Sequence, residues 1–308
     1  MASQPSADLV ERSELTKRVL PWMTLAQGPV VKQKDEDGRY PAAAADRDTE
    51  AGRFRLAGNG VVTGATGAIG LRVSRAMLQH GLEGLMMLDL KAASGEQEAE
   101  VEALRAEFPG ARIEARPVDV TDERQVGAAM DEAARLLGSV DMLVCLAGVV
   151  GTGPSLDAPV SQWRRILEVN TTGSFVCAQA AARHMVAGGR GGRIVLTASI
   201  SAHRVNWPQP QAAYNVSKAG VVALKSCLAA EWARYGIGVN SISPGYMDTI
   251  LNAGPGLAAG RASWCDRNPS GRMGRPDELA GAVLLLLSRA GSYINGADIV
   301  VDGGGLVF

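Results

Sequence analysis

From residue 54 to the C-terminus, short apolar runs alternate with longer stretches of mixed character. The runs are "GVVTG", "GLMMLDL", "RIEARPVDV", "VDMLVCLAG", "RIVLTAS", "GVNSISPG" and "ADIVVDGG". Several are nearly continuous in hydrophobic residues, the pattern of strands buried on both faces. Segments such as "LRVSRAMLQHG", "EVEALRAEF" and "ERQVGAAMDEAARLLG" lie between them and repeat apolar positions at helical spacing. Strand and helix in alternation imply parallel pairing through right-handed crossovers. The pattern therefore predicts an α/β fold with a doubly wound, seven-stranded parallel sheet, in a single domain over 54–308. No internal repeat is visible.

Residues 1–53 lack this period. "VVKQKDEDGRYPAAAADRDTEAGR" mixes charge with Ala, Pro and Gly, and reads as a flexible N-terminal extension. Trp22 and its apolar neighbours are candidates to tie part of it to the body. The formal net charge of −1 offers no electrostatic case for nucleic acid or an acidic membrane surface. No run of eighteen apolar residues occurs, and the first twenty residues lack a signal-peptide core. Cys145, Cys177, Cys227 and Cys265 are far apart in sequence, as expected of reduced thiols in a cytoplasmic protein. No His/Cys/Asp grouping has metal-ligand spacing, so no metal is expected.

A parallel sheet presents ligand sites beyond the carboxyl ends of its strands. After the first strand, "TGATGAIG" places Gly64, Gly67 and Gly70 at the start of a helix. Glycines there let the backbone approach a pyrophosphate whose charge meets the helix amides. A tight strand–helix turn would need similar residues. Asp89 closes the next strand, nineteen residues after Gly70, where a carboxylate can accept the adenosine ribose hydroxyls and repel a 2′-phosphate. That favours NAD, with NADP still open because Arg72 and Lys91 lie near. A solvated carboxylate or helix cap is the plainer role for Asp89. Asp119 ends the third strand within reach of an adenine amino group, and Asp122 reads as the N-cap of the following helix. "CLAG" ends the fourth strand with small residues, Ala147 and Gly148, against which a flat ring can pack.

"QAAYNVSKAG" puts Tyr214 one helical turn before Lys218 in a chain with six lysines and twenty-five arginines. A phenol with pKa about 10 is a poor base at neutral pH. A neighbouring ammonium, helped by an oxidised nicotinamide, would favour phenolate; a three-unit shift corresponds to about 4 kcal/mol. Lysine also has donors to spare for a ribose. Ser199, fifteen residues earlier at a strand end, is placed to stabilise charge on a substrate oxygen, with Ser201 its rival. Asn170 in "VNTTG" is a candidate to anchor a water that relays protons from Lys218, or else a buried amide that satisfies backbone groups. A Tyr-x-x-x-Lys spacing alone arises in roughly one shuffled chain in ten of this composition. The ordered set is far more specific.

That set resembles the short-chain dehydrogenase/reductase family. The likeness runs from about residue 54 to the C-terminus through "TGATGAIG", "DV", "CLAG", "VNTTG", Ser199, "YNVSK", "PGYMDT" and "INGADIVVDGG". It implies a Rossmann fold, hydride transfer between a dinucleotide and a secondary alcohol or ketone, and a catalytic tetrad of Asn170, Ser199, Tyr214 and Lys218. It implies cofactor contacts at Gly64, Thr66, Gly67, Ile69, Gly70, Asp89, Asp119, Val120, Leu146, Ala147, Gly148, Tyr214, Lys218, Pro244, Gly245, Met247 and Thr249. Two positions depart from the family pattern: Ala68 stands at the middle glycine of TGxxxGxG, with Gly67 one place early, and Leu146 replaces the usual Asn of NNAG. The loop from Ser199 to Tyr214, two residues longer than usual, is similar to that of fungal polyol and sugar members, such as arabinitol and mannitol 2-dehydrogenases and sorbose or xylulose reductases.

The Gly- and Pro-rich stretch of about 250–273 is expected to be a substrate lid. Ser199, Ser201, Asn206, Gln211 and Tyr214 are the expected substrate contacts, ahead of Gln209 and of His203, which reads better as a surface or loop-packing residue. Trp207 and Trp264 suit either stacking on an aromatic substrate or packing under the lid. Apolar faces on "AGVVALKSCLAAEWARYG" and at the C-terminus point, with the family, to a homotetramer. A small-molecule alcohol or ketone is the expected partner, most readily a polyol or ketose. A secondary-metabolite ketoreductase and a non-redox dinucleotide-binding relative are the alternatives.

Overall fold

Each apolar run forms a strand whose successive side chains enter cores on opposite faces. In the computed structural model, which describes residues 22–25, 51–92 and 95–308, the strands are β1 (Asn59–Thr63), β2 (Gly84–Asp89), β3 (Arg112–Pro117), β4 (Met142–Cys145), β5 (Gly192–Thr197), β6 (Ile237–Pro244) and β7 (Asp298–Val301). They form a seven-stranded sheet in the order β3-β2-β1-β4-β5-β6-β7. Every pairing is parallel. This is the Rossmann-type architecture that the alternation predicts.

The helices are α1 (Ala68–Gln79), α2 (Gly95–Glu107), α3 (Glu123–Leu137), α4 (Val160–Leu167), α5 (Gly173–Gly188), α6 (Ala212–Trp232), α7 (Ala258–Asp266) and α8 (Ala280–Leu287). Val61, Met86, Leu143 and Ile194 pack against α3, α5 and α6, through Met130, Ala181 and Val221 among others. Their neighbours Val62, Met87, Val144 and Val195 turn to the other face, against Val73 and Met77 of α1, Leu104 of α2 and Val283 of α8. The two-residue period of a strand requires this division. Each such side chain, removed from water, contributes about 1.5–3 kcal/mol. Among the described residues no helix is long and apolar enough to cross a membrane.

Local chemistry sets the element ends. Asp122 caps α3 by accepting from the amides of Arg124 and Gln125, as the sequence predicts, and Gly138 ends that helix in the left-handed conformation. Pro117 closes β3, an edge strand where a missing N–H is tolerated. Leu146–Gly148, drawn by sequence into the fourth strand, leave it after Cys145.

Of the expected extension 1–53, most lies outside the described residues. Trp22 is 90% exposed, so it does not pack on the body. The expected lid is partly helical, with 3₁₀ turns at Ile250–Asn252 and Pro255–Leu257 before α7.

Candidate active site

The topological switch lies between β1 and β4, where Thr63 pairs with Cys145. The chain continues into α1 on one face and α5 on the other. Between them opens a cleft of about 340 Å³, lined by Gly64, Gly67, Ala68, Ile69, Gly70, Asp89, Asp119, Val120, Leu146, Ala147, Gly148 and Thr249.

Two of its glycines are required by geometry. Gly64 has φ +65°, and a Cβ there would lie 2.6 Å from the Ala147 nitrogen. A Cβ on Gly70 would lie 2.2 Å from the Gly64 carbonyl oxygen. Gly67 is different: its φ is −71°, it caps α1, and an added Cβ meets only an ordinary contact at 3.4 Å. The departure at Gly67 and Ala68 therefore leaves the turn intact. With no side chain capping α1, its first amides are open to an anion.

Asp89 accepts from the Thr66 amide at 3.2 Å, which ties β2 to the glycine turn. Asp119 uses one oxygen to accept from the Thr121 amide (3.0 Å) and hydroxyl (2.7 Å). These bonds hold its carboxyl below the usual range. Its second oxygen has no partner among the described residues. Arg165, which sequence reasoning missed, lines the same cleft and adds to the depression at Asp119. A glycine turn that excludes side chains, open helix amides and two carboxylates along one wall fit a dinucleotide.

The expected contacts do not all lie in that lining. Thr66 is buried beneath it. Pro244 ends β6, and Gly245 is pressed against Asp302, 2.8 Å from where its Cβ would be. Met247 is buried, bridges Gly274, and lines a separate cavity of about 120 Å³ with Tyr246, Arg272 and Glu278.

The four expected catalytic residues come from three elements. Asn170 sits in a π-helical turn, Glu168–Thr172, within the rod from α4 to α5, closed by a bond from the Gly173 amide to the Glu168 carbonyl. Only 1% exposed, its amide accepts from Val149 N–H (2.8 Å) and donates to the Val149 carbonyl and the Ser217 hydroxyl, both at 2.9 Å. The side chain thus satisfies backbone groups, a role compatible with anchoring a water. Ser199 follows β5, is buried, hydrogen-bonds to Ser201 at 3.1 Å, and lies near enough to the Tyr214 phenol to act on its pKa.

Tyr214 and Lys218 lie on one face of α6, with Nζ 5.6 Å from the ring centre. Lys218 donates to the Thr197 carbonyl at 2.8 Å, and burial lowers its pKa to about 8. Burial pushes Tyr214 above the ordinary phenol value; Ser199 opposes this, and the neighbouring Tyr246 adds to it. From the sequence, the ammonium and an oxidised nicotinamide together are expected to favour phenolate. For the protein's own groups desolvation wins: burial acts on the phenol and on the Lys218 ammonium alike. The resting phenol is neutral.

On the substrate side, Asn206 and Gln209 do not stand free. Both donate to the hydroxyl of Tyr246, at 3.0 and 2.9 Å. Trp264 stacks on Tyr246, with centroids 4.2 Å apart and planes 5° apart, and donates to Gln209 at 3.1 Å. Trp264, itself part of the lid segment, thus packs inward on Tyr246, whereas Trp207 is 60% exposed. Gln211 is buried at the start of α6. His203 bonds to Asp298 at 2.8 Å, in its loop-packing role. Tyr246 is the residue that sequence reasoning passed over, although it stands just past the end of β6.

A family model described as "Enoyl-(Acyl carrier protein) reductase" matches residues 64–305. The chain is 39% identical over 255 residues to a galactitol 2-dehydrogenase of Rhizobium johnstonii, covering 82% of this chain and 96% of the relative. It is 36% identical over 247 residues to a sorbose reductase of Candida albicans, covering 79% and 85%. Among solved structures, a gluconate 5-dehydrogenase from Burkholderia cenocepacia in complex with NADP and tartrate superposes with a TM-score of 0.76 at 34% identity, over 84% of this chain and 100% of that one.

Proposed function

The chain belongs to the short-chain dehydrogenase/reductase superfamily and is an NAD(P)-dependent oxidoreductase of alcohol and carbonyl substrates; from that premise we propose that it interconverts a polyol and its ketose. The observation that carries this is the group Ser199–Tyr214–Lys218, gathered beyond β5 with the expected dinucleotide cleft one strand away. The dinucleotide, when bound, supplies hydride to the carbonyl carbon or takes it from the carbinol carbon.

Ser199 holds the substrate oxygen by a hydrogen bond that strengthens as charge develops there. Tyr214, neutral at rest, donates its proton to that oxygen during reduction. Lys218 restores the proton and, with two donors beyond the Thr197 bond, holds the nicotinamide ribose. Asn170 fixes Val149 on one wall and α6 on the other, and the remaining lone pair on its Oδ1 anchors the relay water. Gly64, Gly70 and the start of α1 hold the pyrophosphate. Asp89 holds the adenosine ribose and so favours NAD. The names of the sugar and polyol relatives support the substrate class.

We assign catalysis to residues 54–308 of a cytoplasmic homotetramer. Exposed apolar residues on α4, α5 and α6, namely Val160 (61%), Phe175 (37%) and Val216 (48%), together with the C-terminal Phe308 (92%), support the assembly. The test is oxidation of NADH and NADPH on mixing with sorbose, tagatose and a panel of non-sugar ketones. Turnover of a ketose, faster with NADH, supports the proposal; turnover confined to non-sugar ketones refutes the substrate class.

A further inference from the structure

Tyr246 stands just beyond β6, between the loop that carries Asn206 and Gln209 and the segment that carries Trp264. The hydrogen-bond directions around it follow from what each group can do. An indole nitrogen only donates, so Trp264, 3.1 Å from Gln209 Oε1, fixes the orientation of that amide. Gln209 Nε2 must then face Tyr246 Oη, at 2.9 Å. Asn206 Nδ2 brings a second donor to the same oxygen at 3.0 Å. The ring cannot swing away from these donors, because it lies flat on Trp264.

Both acceptor sites of the Tyr246 oxygen are therefore filled, and its own proton has no acceptor among the described residues. Inverting the Asn206 amide would supply one. It would also place the NH₂ group where Oδ1 now lies, buried and without a partner. Either way the cluster is one acceptor oxygen short. Buried polar groups are normally paired, and an exception of this kind calls for an outside partner. The cluster borders the helix that carries the reacting group: Gln209 also donates to Gln211 at 3.4 Å, the residue that opens α6 three positions before Tyr214, and Tyr246 opposes a charge on the Tyr214 phenol.

We propose that Tyr246 is a specificity-determining residue, whose hydroxyl donates to a second hydroxyl of the substrate while the carbinol carbon reacts beside Tyr214. This rests on the polyol reading above. A polyol or ketose supplies the missing oxygen, whereas a monohydroxy alcohol leaves the donor without a substrate partner. A site built to pair with a substrate hydroxyl discriminates strongly against analogues that lack it.

The test is Tyr246→Phe, which keeps the ring on Trp264 and removes only the hydroxyl. With NAD, the ratio of kcat/KM for galactitol to that for cyclohexanol is expected to fall about 10- to 100-fold, through a rise in KM for galactitol. An unchanged ratio would overturn the assignment. Should the wild type oxidise neither alcohol, the oxidoreductase reading fails on its own, and calorimetry still decides the role of Tyr246. Galactitol titrated into the NADH-loaded wild type and variant should bind the variant at least about tenfold more weakly. Equal affinities, or no binding to the wild type, would overturn the assignment.

Discussion

Lys218 holds its ammonium 5.6 Å from the centre of the Tyr214 ring, yet the phenol's pKa rises rather than falls. Both groups are desolvated on the same side of α6, and each pays in its charged form. The pair holds the phenol in place and keeps it protonated. A protonated phenol can act as an acid towards a ketone oxygen; its use as a base awaits a second positive charge nearby.

The low pKa of Lys218 makes a prediction about stability. An unfolded lysine keeps its proton to about pH 10.4, whereas the folded one releases it near pH 8. Below pH 8 both states are protonated, and the fold carries the full penalty of a buried cation. Between the two values only the unfolded chain is protonated, so raising the pH stabilises the fold. From pH 7.5 to 9.5 this contribution amounts to about 2 kcal/mol. Urea unfolding at both pH values should show the gain in the wild type and its absence in Lys218→Met. Parallel behaviour of the two proteins would rule it out.

Asn170→Ala should destabilise the fold as well as slow the enzyme. The substitution leaves the Val149 N–H and carbonyl and the Ser217 hydroxyl without their partner. A loss of about 2–3 kcal/mol is expected, measured by denaturant unfolding. A purely proton-relaying asparagine would leave stability within about 0.5 kcal/mol.

Asp89→Ser should relax the cofactor preference. The change removes the carboxylate that would repel a 2′-phosphate, while a serine hydroxyl can still accept from the Thr66 amide. The ratio of kcat/KM for NADPH over NADH should rise at least about tenfold. An unchanged ratio would place the adenosine ribose elsewhere.

Much of the fold was legible because parallel strands buried on both faces must be apolar throughout. Met86 and Met87, or Val61 and Val62, reveal a strand whichever core each side chain enters. The principal candidate residues were legible because such a sheet places chemistry at strand ends, and Asp89 and Ser199 stand there in sequence as in space. Tyr246 escaped notice because its partners, Gln209 and Trp264, lie in separate segments that meet only in the folded chain. The desolvation that raises the Tyr214 pKa among the protein's own groups was not legible for another reason. Sequence places a cation one turn away but does not show how far the pair is withdrawn from water. Trp22 misled because an apolar residue in a polar segment suggests an anchor, and here it faces solvent.

The most direct test of the account is Tyr214→Phe, assayed for ketose reduction and, in parallel, for NADH binding by fluorescence. The account predicts a fall in kcat of about 10²- to 10⁴-fold with the NADH dissociation constant unchanged. Reduction that persists within a few-fold of wild type would contradict it.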